Sequence, residues 1–482
     1  MRFETISATP QSILPATRTK CDIDKDAPGL LPLHEKFPQI VYTRSDPSYK
    51  ELSSTFNQAI SVKPLAVIRA SEEFHVAETI KIARKLNLPL GIRSGGSDLA
   101  GRNVSRADNG IILDMRGLNS VTIAEGNDSA DVGGGILTGE LAPVLGDRGL
   151  FTPIGWHPMV GYVGWAMGGG YGMCASAYGL GVDQILAARL VLADGSIIQV
   201  DEDHNSELLW ALRGAGNGVW GVVTQLTVKI YPQPKLLIGA LKLEHRDWES
   251  ALTEWSDKIE PDLPTEFAGD LYIRNPNPLN PEVCFYFAWC SKPGDDLAKG
   301  YLFLDKMKSL SGSLAGNVSE MDFASFVKAV PSSQPTPCYL RGVITRGLTR
   351  GVVSVLNRRY RNTKGIYMGS PSHFAHGLAI QANPKACFPL RYRHRLLPLI
   401  CRHDDMMVNS EANDAAIDMA GGIVDELKAT GDVFEGVAYG NLMPSIDTDL
   451  EATFGKETLQ RLRQLKKTYD PDGFFSGGYP SL

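Results

Sequence analysis

The sequence predicts an α+β fold in which a glycine-rich unit is interrupted by an inserted, aromatic-rich one. Three features carry this expectation. The chain has 482 residues, enough for two to four domains at about 100–200 residues each. A strand–helix–strand pattern at residues 65–93 opens onto a strand-rich, glycine-dense stretch at about 110–232. Glycine then thins after about residue 235, and Trp, Tyr and Phe become frequent up to about 405. The simplest parse has an N-terminal arm at 1–40, a first unit at 41–235, a second at 236–430 and a segment at 431–482 that completes the first.

Composition narrows the class. Hydrophobic residues make up 43% and charged residues 21%, the balance of a soluble globular protein. A net charge of −6 argues against a broad nucleic-acid surface, which needs a basic face. The densest basic run, Arg391-Tyr392-Arg393-His394-Arg395, reads as a solvated charged face. Seven cysteines without a C-x-x-C pair exclude a zinc ribbon and a thioredoxin motif, and no metal site is expected. They read as free, mostly buried thiols in a reducing compartment. The first 20 residues carry no apolar segment of signal-peptide length. No apolar run reaches the roughly 18 residues of a membrane span. An intracellular, cytoplasmic protein is expected, in which the sequons at Asn103, Asn127 and Asn317 carry no meaning.

The elements follow in order. Residues 1–40, with Pro10, Pro15, Pro28, Pro32 and Pro38, read as an irregular surface arm. Leu65–Arg69 is a short apolar strand. Ser71 is a candidate N-cap, and Phe74, Ala77, Ile80 and Ala83 follow at helical spacing with Val76 beside them. Asn87 and Pro89 end that helix, and Leu88–Arg93 forms the next strand. Ile111–Asp114 is a third. The runs 190–193 and 197–200 flank Asp194-Gly195, a hairpin turn signal. Leu226, Val228 and Ile230 alternate with polar residues as a half-buried strand stopped by Pro232. Helices are expected around 415–427 and 459–468.

Gly216-Asn217-Gly218-Val219-Trp220-Gly221 matches G-x-G-x-x-G, but a helix precedes it and a strand follows. That reverses the order a nicotinamide site requires. The P-loop, G-x-S-x-G and H-E-x-x-H patterns are all missing from the sequence. Arg93-Ser94-Gly95-Gly96-Ser97-Asp98 is different, because it follows an apolar strand. Successive backbone N–H groups there can form a nest for phosphate oxygens; a plain strand-to-loop turn is the alternative. Residues 155–172 hold seven glycines in eighteen positions. Such backbone can lie along a flat ligand without side chains intruding, or form a glycine-rich sheet edge. A flat, aromatic, diphosphate-bearing cofactor suits both clusters, and FAD is the natural candidate.

In this order the motifs resemble the FAD-linked oxidoreductases of the vanillyl-alcohol oxidase superfamily, specifically the berberine-bridge-enzyme-like group. Pro64–Ile68 with Arg93–Gly96 resembles the opening βαβ and pyrophosphate loop, and Gly155–Gly172 the flavin-covering loop. Tyr178–Asp183, Val191–Gly195, Leu209–Gly214 and Gly221–Thr224 continue the likeness. Phe388-Pro389-Leu390-Arg391 is similar to the family's Phe-Pro-His-Arg, and Tyr469–Phe475 to its closing element. The resemblance implies a two-subdomain PCMH-type FAD-binding domain with an inserted antiparallel-sheet substrate domain covered by helices. It assigns cofactor contacts to Arg93, Ser94, Gly95, Gly96, Ser97 and Asp98. It adds His157, Val160, Gly161, Gly164, Gly168, Gly169, Tyr171 and Gly172, then Asp183, Gly221, Val222, Val223 and Asn441.

The departures shape the expected chemistry. Where many relatives place a flavin-linking histidine stands Ser97, and where bicovalent ones place a cysteine stands His157. Non-covalent FAD is therefore expected. Val160 sits where the family controls oxygen access, and valine is compatible with reoxidation by O2. Tyr439-Gly440-Asn441-Leu442 keeps the family's asparagine but not the tyrosine that follows it.

The resemblance implies an oxidase acting on a small-molecule alcohol, amine or ring C–H, with hydride passing to flavin N5. The alternative is a redox-neutral cyclase or isomerase, Diels-Alderase-like, on the same scaffold. Candidate catalytic residues are Tyr439, His157, His373, His376 and Asn441. Tyr439 as a base would need its pKa lowered by a cation or the flavin. The aromatic insert suggests an apolar ligand, of the kind made in secondary metabolism.

Overall fold

The computed structural model describes residues 4–7, 20–244, 248–276, 281–291, 294–310, 314–330, 334–363, 365–402 and 410–482. Pro10 and Pro15 lie outside them, as does the side chain of Cys21. A four-stranded sheet takes Val41–Thr43, Ala66–Arg69, Ile111–Asp114 and Leu90–Arg93 in that order, the last three parallel. The helix Glu73–Lys85 crosses over it and buries Val76, Ala77, Ile80 and Ala83. Phe74 departs from the expected apolar face and is 44% exposed, packed on Phe37 with the Lys36 ammonium over its ring. The cap also shifts by one residue. Glu72 occupies that position, while the backbone N–H of Ser71 donates to His75 Nδ1 at 3.3 Å.

The described residues of the N-terminal segment do not form a surface arm. Glu4–Ser7 pairs with Ser120–Ile123, and helices at Lys20–Asp26 and Leu31–Lys36, with the turn Pro28–Leu30 between them, bury Ile23, Leu30 and Leu33 in the same core as Ile68 and Ile80. Pro28 and Pro32 sit in the first turns of helical segments, where a missing N–H costs nothing.

A six-stranded antiparallel sheet follows, in the order Glu4–Ser7, Ser120–Ile123, Ser129–Gly133, Val222–Lys229, Ile185–Val191, Ile197–Val200. At the hairpin, Gly195 has φ +80° and the Asp194 carboxylate accepts from the Ser196 N–H. Helix Ser206–Ala215 leads into the 216–221 turn and strand Val222–Lys229 leaves it.

The inserted sheet is antiparallel throughout. Its main order is Leu314–Ala315, Leu236–Leu243, Glu282–Cys290, Asp270–Arg274, Tyr367–Ala375, His394–Arg402, Tyr339–Thr345, and Val318–Glu320 also pairs with Leu236–Leu243. Helices Trp248–Lys258, Arg350–Tyr360 and Ser410–Ala429 pack on one face, over a core that includes Trp255, Phe267, Phe287 and Tyr360. The chain then returns to the first unit, where Leu459 and Leu462 of helix Lys456–Tyr469 share a core with Leu208 and Trp220.

The basic run is not a solvated face. His394 and Arg395 are 0% and 2% exposed, Arg391 pairs with Asp183, and Arg393 donates to the Glu260 carbonyl. A strand of the inserted sheet starts inside it, which turns local charge density into buried pairing. The six cysteines with described side chains are free. Among the described residues no helix is long and apolar enough to cross a membrane, and no side-chain cluster could hold a metal.

Candidate flavin and substrate site

The first glycine cluster sits where a parallel strand ends. Arg93 turns inward, pairing with Asp114 at 3.1 Å and donating to the Ser54 carbonyl at 3.0 Å, so it braces the loop rather than facing a ligand. Beyond it, the backbone N–H groups of Gly95, Gly96 and Ser97 find no protein acceptor among the described residues, and all three residues are half-buried. Gly96 has φ +73°. Unspent N–H groups in a half-buried turn make an anion nest. Asp98 takes no part in it, because its carboxylate accepts from the Ala100 and Arg102 N–H groups and caps the following turn.

The second cluster meets the first. A Cβ on Gly95 would lie 2.4 Å from the Gly161 nitrogen, so the two backbones touch only because neither has a side chain. Three residues on, at Gly164, a Cβ would meet nothing within 4 Å beyond its own helix backbone. An N–H nest beside an open helical glycine fits a diphosphate-bearing flat cofactor. Ser97 is half-buried in the nest, and Val160 is half-buried next to Gly161. The Nδ1 of His157 accepts from the Met159 N–H, and burial lowers its pKa.

The Gly168–Gly172 turn is held by polar groups from two distant parts of the chain. Asn217 donates to Asn441 Oδ1 at 2.6 Å, and Asn441 Nδ2 reaches the Trp165 carbonyl at 3.2 Å and the Tyr439 hydroxyl at 3.0 Å. Tyr439 also accepts from the Gly170 N–H at 3.2 Å. A Cβ on Gly168 would strike Asn441 and Asn217, and one on Gly169 would strike Phe388 and Tyr439. Burial pushes the Tyr439 pKa up to about 12. The residue is a neutral phenol that supports the turn, not the base expected for it. Asn217 was not foreseen; its only sequence signal is its place in the G-x-G turn.

Two further assignments change. Asp183 has no capacity left for a cofactor, since its carboxylate takes Arg391, Asn383 and the Leu180 N–H. Val222 and Val223 pair with Val191 and Leu190 and their side chains enter the core, while Gly221 packs on the Val191 carbonyl. Only the backbone of this segment can face a ligand.

Between the turn and the inserted sheet lies a small cleft, lined by Tyr171, Gly172, Ala175, Ser176, Ala268, Asp270, His373, Phe374 and Ala379. His373 Nδ1 meets Asp270 Oδ2 at 2.5 Å. Tyr171 lies beside this pair with its ring stacked on His373 at 6.3 Å, and its hydroxyl meets His394 Nε2 at 2.8 Å. Tyr171 therefore serves the cleft. His376 lies outside it, stacked on Phe374, and burial together with Arg393 lowers its pKa to about 4. His394 is likewise lowered to about 4 by burial. The sequence pointed to His373 but not to Asp270, which stands 103 residues earlier, nor to His394, hidden in the basic run.

Residues 64–201 match the FAD binding domain family. Over 458 residues the chain is 30% identical to the FAD-linked oxidoreductase aurO of Gibberella zeae, covering 93% of this chain and 86% of that one. Over 201 residues it is 34% identical to the (R)-6-hydroxynicotine oxidase of Paenarthrobacter nicotinovorans, 42% of this chain and 43% of that one. Among solved structures, 6-hydroxy-D-nicotine oxidase from Arthrobacter nicotinovorans matches with a TM-score of 0.80 at 22% identity, over 92% of this chain and 97% of that one. The BBE-like 1 protein of Physcomitrella patens matches at 0.77 and 20% identity, over 90% and 95%. Fold, cradle and relatives together define a flavoprotein oxidoreductase with FAD as its cofactor. The chain belongs to the FAD-linked oxidoreductases.

Proposed function

We propose that the protein is an oxidase of a small apolar molecule, of the kind made in secondary metabolism, acting at an alcohol, amine or ring C–H. FAD is held by contacts alone and O2 is the electron acceptor. The observation that carries this reading is the His373–Asp270 pair in the cleft beside the Gly168–Gly172 turn. When bound, FAD supplies the two-electron acceptor. The chain supplies the proton acceptor. With Nδ1–H given to Asp270, His373 keeps Nε2 for the substrate proton as a general base. Asp270 fixes the ring and stabilises the imidazolium that forms. The other candidates serve less well: His376 is buried outside the cleft, and Tyr439 is a high-pKa phenol. Ser97 cannot form a histidyl bond and His157 cannot form a thioether, which supports a dissociable cofactor.

Anaerobic mixing of the flavin-loaded protein with candidate alcohols and amines tests the reading. Loss of flavin absorbance is the expected result. Turnover without that loss and without oxygen uptake would replace it with a redox-neutral cyclase or isomerase. Acid precipitation should leave all the yellow colour in the supernatant; colour in the pellet contradicts the non-covalent assignment.

A further inference from the structure

We infer that the cleft admits its ligand as a hydrogen-bond donor, because each polar side chain lining it keeps its own hydrogen within the protein and offers only lone pairs. The inference rests on the reading of this cleft as the substrate site. The hydrogens can be placed one by one. His394 Nδ1 is 2.7 Å from the Tyr392 carbonyl, which can only accept, so the ring hydrogen is there and Nε2 is an acceptor. Tyr171 must then donate to His394 Nε2. Ser176 donates to the Phe267 carbonyl at 2.8 Å. Read as the base, His373 gives its Nδ1 hydrogen to Asp270 and keeps Nε2 as an acceptor, and the Asp270 carboxylate accepts only. What remains is the Tyr171 and Ser176 oxygens, the His373 Nε2 and the Asp270 carboxylate.

Tyr171, Ser176 and Asp270 are 5%, 3% and 9% exposed, so bulk water cannot make good a missing partner. A hydroxyl or an amine meets this set with its own hydrogens. A ketone or a carboxylate meets lone pair with lone pair, and the carboxylate adds repulsion from Asp270. The same asymmetry bears on turnover. Oxidation of an alcohol to a carbonyl removes the O–H that the cleft recognises, so the product leaves a site that no longer suits it.

The test compares ligands of one shape on the FAD-loaded protein without oxygen: 1-phenylethanol, 1-phenylethylamine, acetophenone and benzoate. Binding is read from the flavin difference spectrum and the shift in unfolding temperature. The alcohol and the amine should bind at least about tenfold more tightly than the ketone and the carboxylate, the scale of one unmade buried hydrogen bond. In His394→Phe the Tyr171 hydrogen is released into the cleft, and acetophenone should gain at least about threefold in affinity. If that variant does not fold, Tyr171→Phe must weaken 1-phenylethanol without strengthening acetophenone. Equal affinities, a reversed preference, or no binding of the alcohol and the amine overturns the inference. Flavin reduction by another donor would survive such a result, because it is read separately.

Discussion

Asp183 and Arg391 are 208 residues apart in sequence and meet in two side-chain bonds of 2.9 and 2.7 Å that join the glycine-rich unit to the inserted one. The same carboxylate takes Asn383 and the Leu180 N–H, and the guanidinium also reaches the Ala379 carbonyl and lies over the Phe388 ring. Both charges are largely withdrawn from water. Removing one partner leaves the other buried and unpaired, at a cost of about 3 kcal/mol. Arg391→Ala should therefore lower the urea unfolding midpoint and speed flavin release. Arg391→Lys should restore little, because an ammonium cannot form the paired bonds. A variant as stable as the parent would show that the pair is dispensable.

The reach of the sequence is clear from which residues misled. The Asp194-Gly195 hairpin and the Ile111–Asp114 strand were legible because turn chemistry and apolar runs are local. The pairs Asp183–Arg391, Asp270–His373 and Asn217–Asn441 are joined only by the fold, and nothing near either partner announces the other. Arg391–Arg395 looked solvated because charge density cannot distinguish a buried guanidinium from an exposed one. Asp98 looked like part of the nest because it follows the glycines, yet its carboxylate turns to its own loop.

Replacing His373 separates proton removal from cofactor binding. His373→Gln fills similar space but provides no basic nitrogen, so anaerobic flavin reduction should slow by about 10²–10⁴-fold. Flavin content should stay at the parental value, since the ring lines the cleft and not the glycine cradle. Asp270→Asn should slow the same step by a smaller factor while substrate affinity changes little. Stopped-flow reduction with a donor that reduces the parent flavin decides this, and an unchanged rate in His373→Gln would assign the base elsewhere.

Acid should destabilise the fold in a defined window. His376 and His394 are both held near pKa 4 by burial, against about 6.5 in an unfolded chain. His75 and His157 are lowered for the same reason. Between these values the unfolded chain binds protons that the native one does not, so stability is complete above about pH 6.5 and falls as the pH drops toward 4. Each of the two most buried rings accounts for up to roughly 3 kcal/mol of that loss. Unfolding free energies in urea across this range should show the slope, and His394→Gln should reduce it by about one proton. A pH-independent stability from 6.5 to 4.5 would contradict the buried neutral assignment.

Gly161 and Gly164 distinguish a cradle built of backbone from a space kept open for a ligand. At Gly161 a Cβ would lie 2.5 Å from the Gly95 nitrogen and 2.8 Å from Ser94 Oγ. Gly161→Ala must therefore displace the nest itself, and both apoprotein stability and FAD affinity should fall. At Gly164 a Cβ meets nothing within 4 Å beyond its own helix backbone, and the residue lies inside the helix Tyr162–Met167. Alanine there should raise apoprotein stability by about 0.5–1 kcal/mol through helix propensity. If a flat cofactor occupies the open space, the added methyl meets the ligand alone, and FAD affinity should drop at least about tenfold in a more stable protein. Apoprotein unfolding and flavin fluorescence titration read the two effects separately. Undiminished FAD affinity in Gly164→Ala would move the isoalloxazine or its diphosphate away from this helix.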